Sequence, residues 1–128
     1  MRALRQTVTV NKPVEEVFDF CINPENTPKW IDSITQEQTN EWPVKLGTIY
    51  RNQRKDGNWS EYEVTALEPN KIFTLSKKDD NFYVKYAFTP VNKTTTELEY
   101  ELPNNGKVDE AFIKAALDKL KYVMETKI

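Results

Sequence analysis

The C-terminal stretch, Val108–Ile128, constrains the fold more than any other part of the chain. Phe112, Ile113, Ala116, Leu117, Leu120, Val123 and Met124 recur at steps of three and four, so they share one face of an α-helix. Lys114, Asp118, Lys119, Lys121 and Glu125 fall on the other face. At about 1.5 Å per residue, a helix of this length is a rod of roughly 30 Å, the width of a small domain. A rod so long and so one-sided needs a broad apolar surface to lie on. The rest of the chain reads as a sheet able to supply it. A sheet curved around one long helix leaves space between the two, and what fills that space is the functional question.

The strands follow from alternation. Leu4, Gln6, Val8 and Val10 face one way and Arg5, Thr7 and Thr9 the other, which is a half-buried strand. Asn11-Lys12-Pro13 then signals a helix start, with Asn11 as the cap and Pro13 in the first turn. Val14, Val17, Phe18 and Cys21 form the apolar stripe of this short helix. Asn23-Pro24 ends it, and Pro24 to Trp30 makes a second short helical turn anchored by Trp30. Ile31 to Glu41 is a weaker strand with Ile34 its main apolar member. Gly47 to Arg54 and Trp59 to Leu67 form a hairpin around Asp56-Gly57, a favoured centre for a two-residue turn. That turn pairs Arg51 with Tyr62 and Ile49 with Val64, so Ile49, Arg51 and Gln53 point inward with Tyr62, Val64 and Ala66. Lys71 to Ser76 and Phe82 to Pro90 follow, with Phe82, Val84, Tyr86 and Phe88 on one face. Thr94 to Leu102 alternates most cleanly, with Thr96, Leu98, Tyr100 and Leu102 inward and Glu97, Glu99 and Glu101 outward. Pro103-Asn104-Asn105-Gly106 breaks the sheet before the long helix.

The predicted order is strand, two short helices, six strands, long helix. Six consecutive strands on short turns form an antiparallel meander, and the first strand pairs with the last. This is an α+β arrangement with the helices on one side of the sheet, within one domain spanning residues 1–128.

Composition removes several functions. The chain contains no histidine, so Ser-His-Asp and Cys-His catalysis and the common zinc sites are unavailable. The single cysteine, Cys21, excludes an internal disulfide and sits on the apolar side of the first helix, where a buried thiol is the default. A net charge of −2 gives no basic field for nucleic acid or anionic membrane. No apolar run approaches the ~20 residues that span a bilayer, and the N-terminus lacks a signal-peptide core, so a cytoplasmic location is expected. Neither a metal nor a cofactor is expected.

Thr7 to Gln36 resembles the opening of START/SRPBCC helix-grip proteins: an alternating strand, a Pro-x-x-x-Val-Phe helix (Pro13, Val17, Phe18), an Asn-Pro-Glu turn (Asn23, Pro24, Glu25) and then Trp30. Gly47-Thr48 and Val64 to Lys71 match two later landmarks. The resemblance spans essentially the whole chain and is closest to the polyketide cyclase/dehydrase-like branch. It implies a helix-grip fold: a curved seven-stranded antiparallel sheet wrapped around the C-terminal helix, with a cavity between them for an apolar small molecule. The superfamily includes lipid carriers, plant hormone receptors, birch pollen allergens, aromatase/cyclases and ring-hydroxylating oxygenase subunits. Without histidine the oxygenase iron site cannot be built, and the glycine-rich loop of the plant members is missing.

The cavity-lining candidates are Phe18, Trp30, Ile49, Arg51, Tyr62, Val64, Phe73, Tyr86, Phe88, Leu98, Tyr100, Phe112, Ala116 and Leu120. Each aromatic either fills the core or faces a ligand, and buried tyrosine hydroxyls need partners in both cases. Arg51 either anchors a ligand anion or enolate, snorkels to the mouth to pair with an acid, or is turned outward by a longer hairpin loop. Glu97, Glu99 and Glu101 read as a solvated face offset by Arg5 and Lys85. The expected function is binding of an apolar or aromatic small molecule as a carrier or sensor. The alternative is a cofactor-free cyclase or dehydratase in which tyrosine and Arg51 stabilise an enolate. The oligomeric state stays open.

Overall fold

The computed structural model describes residues 3–104 and 108–126. Strand β1 (Ala3–Val10) leads into helix α1 (Val14–Ile22), a single 3-10 turn (Pro24–Asn26) and the short helix α2 (Thr27–Trp30). Six strands follow: β2 (Ile34–Thr39), β3 (Ile49–Arg54), β4 (Trp59–Glu68), β5 (Ile72–Lys77), β6 (Tyr83–Asn92) and β7 (Thr95–Pro103). Helix α3 (Glu110–Glu125) closes the fold. All seven strands belong to one antiparallel sheet in the order β1-β7-β6-β5-β4-β3-β2. The meander and the pairing of β1 with β7 are as expected from the short turns. This is the helix-grip arrangement of a curled sheet and a C-terminal helix.

The alternation of β1, β6 and β7 translates directly into burial. Leu98, Leu102 and Thr96 are buried from β7, Val84, Tyr86 and Phe88 from β6, and Leu4, Val8 and Val10 from β1. On the opposite face Arg5 donates to Glu101 at 2.9 Å and approaches Glu99 at 4.0 Å, so the acidic ladder is offset as expected. Helix α3 buries Ile113, Ala116, Leu117, Leu120 and Met124 and lies against β1 and α2. Val123 is half-buried, whereas Phe112, read as a core residue of this stripe, stands 39% exposed at the first turn. Asp109 caps the helix, accepting from the backbone N–H groups of Ala111 and Phe112. Lys119 pairs with Asp32 beyond α2, and Lys121 donates to the Thr9 carbonyl at 2.7 Å, so polar contacts also tie the helix to the rest of the fold.

Several local expectations change. Asn11 does not cap α1: Pro13 is the last non-helical residue, and the Asn11 N–H donates instead to Glu125 at 2.7 Å. Asn23 does end α1, and its side chain accepts from the Glu25 N–H at 3.0 Å. Pro103 stays in β7 opposite Ala3, a position at the strand's end where a missing N–H is tolerated. The break expected over Pro103–Gly106 otherwise runs into Asn105 and Gly106, outside the described residues, as do the last two residues of the expected helix.

The hairpin between β3 and β4 is the main correction. Its loop has three residues, Lys55 to Gly57, rather than two. Arg54 and Asn58 close it, with Arg54 N–H to the Asn58 carbonyl at 2.9 Å and Gly57 N–H to the Arg54 carbonyl at 2.9 Å. Gly57 has φ of +87°, the left-handed conformation this longer turn demands of its last residue. One extra loop residue shifts the register by one, so Tyr50 opposes Tyr62, Arg51 opposes Glu61 and Ile49 opposes Glu63. Every β3 side chain therefore changes face. Tyr50 and Asn52 are buried, while Ile49, Arg51 and Gln53 lie on the outer side. In β4 Tyr62 and Val64 face inward as expected. A bulge after Val64 then turns Leu67, in place of Ala66, toward Phe73.

Candidate functional site

A cavity of about 690 Å³ lies between the concave side of the sheet, α2 and the first turn of α3. That volume is in the range of small-molecule sites. Leu75, Val84, Leu102, Ile113, Ile31 and Ile34 supply apolar wall. Tyr62, Tyr86 and Tyr100 add three aromatic surfaces, and the mouth opens between the β5–β6 turn (Asp80, Asn81, Phe82) and the start of α3 (Asp109, Phe112).

The tyrosine wall is a packed aromatic block. Tyr86 meets Tyr100 edge to face at 5.0 Å between centroids and lies 5.3 Å from Phe73. Trp30 backs both tyrosines edge-on, at 6.3 and 6.0 Å. Burial pushes the Tyr86, Tyr100 and Tyr62 hydroxyls up, so they stay neutral donors. Tyr50 sits behind this wall, and its hydroxyl donates to the Ile22 carbonyl at 2.5 Å.

Opposite the tyrosines stands a carboxyl that sequence reasoning missed. Glu37 reaches the cavity from β2, held by the Thr27 hydroxyl at 2.6 Å and the Asn52 amide at 3.3 Å. Thr27 and Asn52 are themselves buried. Burial raises the Glu37 carboxyl to about 7, and the two neutral donors offset only part of that rise. A carboxyl so placed exchanges its proton near neutral pH, the role a histidine usually takes.

Glu37 faces inward because of a bulge. Ile34 opposes Arg54 but Gln36 opposes Gln53, so two residues of β2 face one step of β3. Counting alternately from Ile34 puts Gln36 and Gln38 inside; the extra residue shifts the inside position to Glu37, opposite Asn52. No residue pattern in Ile34–Thr39 announces that bulge. Asn52 was hidden by the hairpin register. Lys77, expected in the turn after a strand ending at Ser76, belongs to β5, and its shared parity with Phe73 and Leu75 is the signal that could have placed it.

The mouth carries two cations that already have partners. Arg54 donates to the Ser60 hydroxyl at 3.1 Å and lies 3.9 Å from Asp56. Lys77 lies 3.7 Å from Asp80 and 4.0 Å from Asp79.

Of the residues singled out from sequence, Tyr62, Tyr86, Tyr100 and Phe112 line the cavity. Phe18, Trp30, Val64, Phe73, Phe88, Leu98, Ala116 and Leu120 are buried in the core around it, as in the 5.2 Å contact between Phe18 and Phe88. Ile49 and Arg51 are on the outer side. Arg51 pairs with Glu61 at 3.2 Å and lies 4.8 Å over the Trp59 ring, so it is a surface cation. Cys21 is buried, and burial pushes its thiol far above the usual range, away from nucleophilic chemistry. Among the described residues no helix is long and apolar enough to cross a membrane.

Residues 1–125 match the family model for polyketide cyclase / dehydrase and lipid transport. Comparison with curated protein sequences gives no match. Among solved structures, a Mesorhizobium loti protein aligns with TM-score 0.76 at 17% identity, covering 99% of this chain and 100% of that one. A Bacillus thuringiensis protein aligns with TM-score 0.74 at 12% identity, over 97% and 99%. DynU16, a protein of the dynemicin biosynthetic locus, aligns with TM-score 0.72 at 22% identity, covering 97% of this chain and 47% of its own. At these identities the likeness is one of fold.

Proposed function

We propose that this chain, which belongs to the polyketide cyclase/dehydrase and lipid transport family, is a cytoplasmic carrier or sensor that binds an apolar or aromatic small molecule in its central cavity. The observation that carries this reading is the cavity of about 690 Å³, walled by aliphatic side chains and three tyrosines and partly open to solvent. Apolar burial supplies the affinity at roughly 25 cal/mol per Å² removed from water. Tyrosine hydroxyls and the Glu37–Asn52 pair orient the ligand, because a buried polar group left without a partner is costly. Native mass spectrometry of the purified protein, followed by denaturation and analysis of what is released, tests the reading. A co-purifying apolar compound, or saturable 1:1 binding of N-phenyl-1-naphthylamine, is the expected outcome. An interior that takes up neither would overturn it.

Glu37 favours a second reading, a cofactor-free reaction of the cyclase or dehydratase kind. Its carboxylate would take a proton from carbon beside a ligand carbonyl, while a tyrosine hydroxyl donates to the developing enolate oxygen. Arg51 has no part in this, being on the outer face. Conversion of a poly-carbonyl substrate that disappears in Glu37→Gln would establish the reaction; unchanged substrate after prolonged incubation would exclude it for that substrate.

A further inference from the structure

We infer that the ligand carries a basic nitrogen, a protonated amine or comparable organic cation on an apolar or aromatic body, and that Glu37 is its recognition group. The inference rests on the ligand-binding reading and narrows it to a substrate class.

Glu37 is an anion site without a countercharge. Its oxygens are met by two neutral donors, the Thr27 hydroxyl and the Asn52 amide. Among the described residues no Lys or Arg forms an ion pair with it. Arg54 and Lys77, the cations at the mouth, make their side-chain contacts with Ser60, Asp56, Asp79 and Asp80 instead. Two neutral hydrogen bonds leave part of a carboxylate's acceptor capacity free, and a third neutral donor would still leave a net charge buried. A cation removes that charge. A metal ion would need further ligands, and among the described residues no group of three His, Cys, Asp or Glu assembles.

The walls suit the same ligand. Tyr62, Tyr86 and Tyr100 share the cavity with Glu37. Aromatic surfaces beside a carboxylate are the surroundings in which organic cations bind, through the negative face of each ring together with the ion pair.

The charge state of Glu37 makes the inference testable by pH. Burial without a cation raises this carboxyl to about 7, and an ammonium against it would favour the ionised form. The other titratable groups facing it are Tyr50 on β3, Tyr62 on β4, Tyr86 on β6 and Tyr100 on β7, all pushed up and neutral in the working range. Arg54, Lys77, Asp80 and Asp109 face the cavity from its mouth, and α2 contributes Thr27.

The test uses three probes of one shape: 2-naphthylmethylamine, 2-naphthalenemethanol and 2-naphthoate, titrated calorimetrically into the protein at about pH 8 and about pH 5.5. At the higher pH the amine should bind at least roughly tenfold more tightly than the alcohol, the scale of a charge-assisted hydrogen bond. That preference should shrink roughly tenfold or more at the lower pH, where Glu37 takes up its proton. Glu37→Gln should bring the amine-to-alcohol ratio close to one, and Arg51→Ala on the outer face should retain the preference. Alcohol and amine binding alike, or naphthoate binding best, would overturn the inference while leaving the cavity's role intact. Failure of all three probes to bind would overturn the underlying reading as well.

Discussion

Replacing Glu37 by Gln should stabilise the protein at alkaline pH and change it little at acid pH. In the folded chain the Glu37 carboxyl titrates at about 7 rather than 4.5, because burial disfavours its charge. The sign follows from proton counts. Below the unfolded value both states hold the proton and pH has no leverage. Between the two values the folded state keeps a proton that the unfolded state releases, so rising pH favours unfolding. Above the folded value both are ionised and the full penalty applies. A rise of this size corresponds to roughly 3 kcal/mol at about 1.4 kcal/mol per pH unit, a large share of the roughly 5–15 kcal/mol by which domains are stable. Gln is neutral throughout. Its carbonyl still accepts from Thr27, and Asn52 can turn its amide to accept from the new side chain. Urea unfolding of both proteins between about pH 4.5 and pH 9 measures the difference. The stability of the variant minus that of the wild type should climb by about 3 kcal/mol across this window and then level off. Asp32, Asp56, Glu101 and Glu125, held below their ordinary values, lose their contributions only as pH falls, and they are common to both proteins. Parallel profiles, or a variant advantage that shrinks as pH rises, would refute the idea that burial without a cation governs Glu37.

Arg51→Ala should cost no more than about 1 kcal/mol by urea unfolding and leave probe binding unaltered, because Arg51 pairs with Glu61 and covers Trp59 on the exposed face. Leu120→Ala should cost about 3 kcal/mol by the same measurement, since Leu120 is fully buried where α3 meets the sheet and the space it vacates can close only partly. Cys21 should react with a thiol reagent only as fast as the chain opens, so adding denaturant should accelerate labelling steeply while native protein stays inert.

Elements whose own side chains carry the pattern are legible in the amino-acid sequence. The helix stripe from Ile113 to Met124 and the alternation of β6 and β7 each repeat often enough that one face must be apolar. Burial then has one solution, and Tyr86, Tyr100, Leu98 and Leu120 lie inside as expected. Short turns between strands dictate a meander, so strand order follows too. Tyr86 and Tyr100, two residues of the cavity wall, come from that local information.

The polar half of the site depends on two irregularities that hydrophobic periodicity does not encode. Asp56-Gly57 is compatible with a two-residue or a three-residue turn, and only the packing of both strands selects the longer one, with Gly57 left-handed and Arg54 closing the loop. That choice puts Arg51 outside and Asn52 inside. The bulge in β2 likewise leaves Ile34 facing in and delivers Glu37 to the same side three residues later, where Thr27 and Asn52 meet it. In a strand with a period of two, each extra residue exchanges the two faces. The sequence by itself therefore determined the sheet, the helix and the aromatic wall. Tertiary structure decided which charged residue stands in the cavity, because the parity of a strand is set by the partner it pairs with and not by the strand alone.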